Sequence, residues 1–176
     1  MKETVIISTG GTFNKIYNRL TGNLDIDTNN NSLKTIENSW LAELNFINII
    51  NKDSLDFTTK DREELLKTIK ELNYDRYIII HGTDTIDITA KYLNDANLNK
   101  VIVLTGAMVP FSIDPIEATA NLAQAIGYSK LASNGIYIAL NSVVDRYNRV
   151  EKNRKVGKFQ IITWVQRSIM DIQYSK

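Results

Sequence analysis

Cysteine is absent from the 176 residues, which excludes disulfides, thiol nucleophiles and thiolate metal sites. A single histidine, His81, excludes a multi-histidine metal centre and a histidine-cluster pH sensor. Proline occurs twice and glycine eight times, and no repeat or linker rich in them divides the chain. No apolar run approaches the ~18 residues of a membrane span. The N-terminal Val5-Ile6-Ile7 is too short for a signal-peptide core, so the cytoplasm is the expected location and no membrane partner is called for. An excess of one charge is missing too. Lys and Arg number 21 against 20 Asp and Glu, and a net charge of +1 gives no footprint for nucleic acid.

What is present suits a folded protein. Hydrophobic residues make up 43% and charged residues 23%, enough apolar material to offset chain entropy. The length predicts one domain over 1–176, with no assignment for the tail at 166–176. Apolar runs at 4–8, 46–50, 77–80, 101–104 and 136–140 are mostly continuous rather than alternating. Such runs fit strands covered on both faces. A sixth, at 161–165, is a further strand candidate. Residues 58–73 carry Leu65, Leu66, Ile69 and Leu72 at helical spacing, with Thr58 or Thr59 as cap. Helices are also expected at 84–93 and 115–129, the latter opened by Asp114-Pro115. The polar run 28–32 reads as a flexible surface loop. Strands alternating with helices imply an α/β fold: a doubly wound, mostly parallel, Rossmann-like sheet flanked by helices in a single domain.

The unusual residues collect where strands end. The first strand runs into Thr9-Gly10-Gly11-Thr12, the third into His81-Gly82-Thr83-Asp84-Thr85 and the fourth into Thr105-Gly106-Ala107-Met108. The fifth leads to Asn141-Ser142 and the charged stretch 145–155. Ligands of open parallel sheets bind beyond the carboxyl ends of the strands, so these segments would converge on one site. Glycines 10, 11, 82 and 106 would let backbone N–H groups approach a ligand. Thr12 and Thr83 offer hydroxyls as nucleophiles or hydrogen-bond partners. Asp84 is either a helix cap or an anion for a substrate ammonium. His81 reads as a partly buried strand-end residue. Taken singly, Gly-Gly-Thr is an ordinary turn and Thr-Asp-Thr an ordinary cap; their joint occurrence is the signal.

Together, Thr9–Thr12 and His81–Thr85 resemble the paired signature of the bacterial-type L-asparaginases. The segments Asp53-Ser54-Leu55-Asp56-Phe57-Thr58 and Leu104-Thr105-Gly106-Ala107-Met108 are similar to further blocks of that family, in the right order. The resemblance covers about 4–165, the family's larger N-terminal domain, and the usual C-terminal domain has no counterpart in these residues. With Arg149-Val150-Glu151-Lys152-Asn153-Arg154, the chain is most similar to the short-chain asparaginases.

The resemblance implies hydrolysis of L-asparagine to L-aspartate and ammonia through an acyl-enzyme. It makes Thr12 the nucleophile and Tyr17 its candidate proton acceptor, with Thr83, Asp84 and Lys152 as the second half of the site. A threonine hydroxyl needs such help to react. The neighbouring carboxylate leaves the protonation of Lys152 open. Substrate contacts would come from Gly11, Ser54, Leu55, Asp84 and Ala107, with Asp84 on the α-ammonium and Ser54 on the α-carboxylate. A backbone N–H of Thr83 or Gly11 would meet the oxyanion. Leu55 and Ile88 stand where relatives carry polar and acidic residues. No metal or organic cofactor is implied. Without the second domain, a homodimer or homotetramer is expected to close the site, with a raised Michaelis constant. Glutamine or another small amide is an alternative substrate. A non-catalytic amino-acid-binding module is a different class of reading. Nucleotide binding is disfavoured by the lack of Gly-x-Gly-x-x-Gly or phosphate-loop patterns.

Overall fold

The structure is a computed structural model and describes residues 4–163. In chain order the elements are β1 (Thr4–Gly10), β2 (Lys15–Tyr17), β3 (Leu24–Ile26), α1 (Asn31–Trp40), β4 (Phe46–Lys52) and α2 (Thr59–Glu71). There follow β5 (Arg76–Ile80), α3 (Ile86–Asp95), β6 (Val101–Thr105), α4 (Pro115–Leu131), β7 (Gly135–Leu140), β8 (Val143–Arg146), β9 (Val150–Asn153) and β10 (Lys158–Ile161).

Six strands form one sheet in the order β4-β1-β5-β6-β7-β8. All its pairings are parallel except the last, where β8 returns against β7. The continuous apolar runs are explained by burial on both sides. Val5, Ile7, Tyr77, Ile79, Ile102 and Leu104 face one way, onto Leu65 and Ile69 of α2 and Ala90 and Leu93 of α3. Ile6, Ile78, Ile80, Val101 and Val103 face the other, onto Leu33 and Ile36 of α1 and Leu122 and Ala125 of α4. Helices therefore cover both faces, and the fold is doubly wound. No helix among the described residues is long and apolar enough to cross a membrane.

Two helix starts follow their local chemistry. Thr58 accepts from Asp61 N while the Asp61 carboxylate takes Thr58 N, a reciprocal capping box. Asp114 accepts from Ile116 N, with Pro115 at the first helical position. The 28–32 segment differs from the expected flexible loop. Asp27 accepts from Asn29 N and Asn31 N, Asn30 and Ser32 are buried, and Asn31 begins α1. The expected strand at 161–165 is displaced, because β10 ends at Ile161. Positions 164–165 of that expectation, and the tail at 166–176, lie outside the described residues.

From β1 the chain moves outward to β4, then crosses back to place β5 on the other side of β1. The winding direction reverses there, which leaves a crevice beyond the carboxyl ends of β1 and β5. Thr9–Thr12 and His81–Thr85 occupy those two ends.

Candidate active site

The loops at this crevice press directly on one another. A Cβ on Gly11, whose φ is +75°, would lie 2.5 Å from Gly82 N. A Cβ on Gly82 would lie 2.6 Å from Ser54 Cβ. The corresponding space at Gly10 is taken by the Lys52 carbonyl, and at Gly106 by that of His81. The glycines thus let three loops approach each other, a use for them beside the expected opening of N–H groups to a ligand. Gly11 N–H is engaged with Lys52 O at 2.9 Å, whereas Thr83 N–H meets no acceptor among the described residues.

The threonines at the strand ends divide by hydrogen bonding. Thr9 donates to Ile80 O at 2.8 Å and Thr105 to Ala139 O at 2.7 Å; both are buried and tie neighbouring strands. Thr85 donates to Ser54 O at 2.7 Å. Thr12 lies at the start of a short 3-10 turn, partly exposed, its hydroxyl without a partner among the described residues. Thr83 accepts from Lys152 Nζ at 2.8 Å and donates to Met108 Sδ at 3.2 Å.

Lys152 also donates to Asp84 Oδ1 at 2.8 Å, and its side chain is only 11% exposed. It comes from β9, which pairs with β10 in a two-stranded ribbon outside the main sheet. Arg154, just past β9, donates to Asp84 Oδ1 at 3.2 Å and to Asp84 O at 2.7 Å. Two cations on one carboxylate leave the cluster net positive, with Oδ2 unengaged among the described residues. Asp84 is not a helix cap: α3 is preceded by Thr85, and the Asp84 backbone N–H donates to Ser54 Oγ at 3.2 Å. On the other side of Ser54, Asp53 pairs with Lys15 at 2.6 Å. Burial pushes the Asp53 carboxyl up, but Lys15 and the N–H groups of Leu55 and Ser54 hold it below its ordinary range.

The remaining expectations divide. Tyr17 is 60% exposed on the β2–β3 hairpin and makes no hydrogen bond with Thr12. Leu55 points outward, 72% exposed, and Ala107 is fully buried. Ser54 is buried; its hydroxyl accepts from Asp84 N and keeps its own hydrogen to donate. His81 is wholly buried rather than partly so, against Phe57 at 4.5 Å between rings. Burial pushes its pKa down to about 4, with the Arg62 charge adding to the effect against the opposing Gly82 carbonyl and Asp53.

The side chains of Met108 and Arg154 are site contacts beyond the expected set. Met108 closes the segment Thr105–Met108, and its turn is held by Glu117, which accepts from Met108 N at 3.1 Å and Val109 N at 3.0 Å. Arg154 is two residues beyond Lys152, and that spacing puts both on one side of an extended segment.

Comparison with known proteins matches this arrangement to one family. The model of "Asparaginase, N-terminal" matches residues 3–163. An L-asparaginase of Thermococcus kodakarensis is 31% identical over 141 residues, covering 77% of this chain and 42% of that protein. L-asparaginase 1 of Escherichia coli K12 is 31% identical over 110 residues, covering 60% of this chain and 32% of that protein. The structure of the thermostable L-asparaginase from Thermococcus kodakarensis superposes with a TM-score of 0.80 at 27% identity, over 92% of this chain and 52% of that one. The chain thus spans less than half the length of these two curated relatives. With the family model covering all of its described residues, the chain belongs to the asparaginase family through that family's N-terminal domain.

Proposed function

We propose that this chain hydrolyses L-asparagine to L-aspartate and ammonia, with Thr12 as nucleophile. The observation that carries the reading is the Lys152–Thr83–Asp84 cluster, held on the loop against which Gly11-Thr12 is packed. The family membership of the chain supports it. Asp84 Oδ2 takes the substrate ammonium, and the Ser54 hydroxyl hydrogen and the positive rim at Arg154 suit its carboxylate.

In the first step Thr12 Oγ bonds to the carboxamide carbon, and the carbonyl oxygen becomes an oxyanion. The hydroxyl proton passes by way of Tyr17 to the amide nitrogen. Tyr17 makes no contact with Thr12 in the free site, so this role requires its hairpin to close on bound substrate. The C–N bond breaks, ammonia leaves and an ester remains on Thr12. Water held by Thr83 adds to the ester carbon, and one of its protons returns to Thr12 Oγ as the C–O bond breaks and aspartate departs. Thr83 N–H is the free backbone donor for the oxyanion in both steps, a contribution of ~2.7–4 kcal/mol.

The test is ammonia release from asparagine by wild type, Thr12→Ala and Thr83→Val. Both variants are expected to lose at least ~10²-fold; wild-type rates in both would end the reading. Binding of asparagine without turnover would replace it with an amino-acid-binding module. Glutamine belongs in the same assay, because one methylene separates substrates by only ~1–3 kcal/mol. We also propose a homodimer or homotetramer. Exposed apolar side chains near the crevice, Ile113 at 60% and Ile116 at 74%, support that part. Sedimentation of a fully active monomer would count against it.

A further inference from the structure

Behind the crevice stands a buried side chain that the reaction above leaves unused. His81 is 0% exposed, and both ring nitrogens are engaged. Nδ1 lies 2.8 Å from Gly82 O, and Nε2 lies 2.9 Å from Thr89 Oγ1. Thr89 in turn accepts from Arg62 Nε at 3.1 Å, and Arg62 Nη1 donates to Phe57 O at 3.1 Å. This chain has one consistent set of protons. The Gly82 carbonyl only accepts, so the ring proton sits on Nδ1, and Nε2 of the neutral ring takes the Thr89 hydrogen while Thr89 Oγ1 accepts from Arg62.

That last bond fixes a peptide plane. In a trans peptide the carbonyl and the following N–H point in opposite directions. With Gly82 O drawn toward the buried ring, Thr83 N–H is turned the other way, on the residue whose hydroxyl meets Lys152. It is the N–H that lacks an acceptor among the described residues, while Gly11 N–H is taken by Lys52 O. We propose that His81 is a positioning residue: its Nδ1–H holds Gly82 O and thereby aims Thr83 N–H at the oxyanion of the reacting amide. The role rests on the reading of this site as that of an amide hydrolase. His81 touches no substrate. Thr89, Arg62 and the Phe57 ring lock its orientation, so the aim is set before substrate arrives.

The comparison that tests this is His81→Asn against His81→Leu. Asparagine places a side-chain N–H on Cγ, where Nδ1 stands, and keeps the donor to Gly82 O. Leucine fills the space without a donor. His81→Leu is expected to lower kcat by about 30- to 100-fold with KM within about threefold, since an oxyanion contact exists only in the transition state. His81→Asn should recover kcat to within about tenfold of wild type. The Gly82 carbonyl ¹³C resonance, read by NMR on the folded proteins, should shift in the leucine variant and stay near its wild-type position in the asparagine variant. A folded His81→Leu enzyme with wild-type kcat overturns the proposal. So do equal losses in both variants that track their thermal stability. Wild type inert toward asparagine, with the carbonyl resonance behaving as expected, removes the asparaginase reading while the aiming of the peptide stands.

Discussion

The buried imidazole makes stability depend on pH in a window that can be calculated. Folded His81 titrates at about 4, against an ordinary value of 6.5. Burial is the main cause, the Arg62 guanidinium adds to it, and Gly82 O and Asp53 oppose it. A depressed folded pKa means that the unfolded chain binds the proton first. The stabilising contribution is therefore complete above about pH 6.5 and declines as pH falls toward 4. A difference of about 2.5 units at 1.36 kcal/mol each corresponds to roughly 3 kcal/mol. Against a typical total of ~5–15 kcal/mol, that is a large share. Urea unfolding at pH 7.5, 6.5, 5.5 and 4.5 reads it directly, as a falling midpoint at constant slope. His81→Asn removes the titration and should flatten the profile over this range. A wild-type midpoint that stays level between pH 6.5 and 4.5, or an asparagine variant that declines as steeply, refutes the reasoning.

Three further outcomes follow from contacts described above. Lys152→Met should lower kcat by ~10²-fold, as for loss of the side chain that holds Thr83 and Asp84 in place, and Tm by a few degrees; the loss in stability stays near ~1–2 kcal/mol because partly exposed Asp84 keeps Arg154. A kcat within tenfold of wild type would exclude Lys152 from the chemistry. Gly82→Ala forces a Cβ to within 2.6 Å of Ser54 Cβ, and should cost ~1–3 kcal/mol in chemical denaturation together with most of the activity; an unchanged midpoint would show that the loops do not press together there. Asp61→Ala removes one half of the capping box and the partner of Lys52 at 2.7 Å, and should destabilise the fold by ~1–2 kcal/mol with kcat retained.

The sheet was legible because double-sided burial leaves a direct trace: Ile78, Ile79 and Ile80 are all apolar since consecutive residues face different helix layers. The crevice was legible for a related reason, as small and hydroxylated residues gather where β1, β5 and β6 end. The first helix was not. Its opening Asn-Ser pair has low helix propensity, and the stripe Leu33, Ile36 and Trp40 follows a polar run that resembles a turn. The division among threonines was equally hidden. Thr9 and Thr105 are tied to adjacent strands through carbonyls 71 and 34 residues away, and only register reveals this. Arg154 reaches Asp84 across 70 residues through a long side chain, so its charge alone reads as surface. That Leu55 faces outward and Ala107 is buried was hidden as well, because their neighbours, not their own chemistry, decide which way they face.

The ribbon formed by β9 and β10 stands outside the six-stranded sheet and is seated on its core through Val150 and Phe159. Lys152 reaches Thr83 and Asp84 only when this ribbon is docked, yet the six-stranded sheet closes without it. The turn joining its strands is exposed at Val156 and Gly157. A single protease cut there should abolish the proposed hydrolysis while leaving circular dichroism nearly intact. Turnover would then report on the seating of one short ribbon, a quantity that bulk measures of folding pass over.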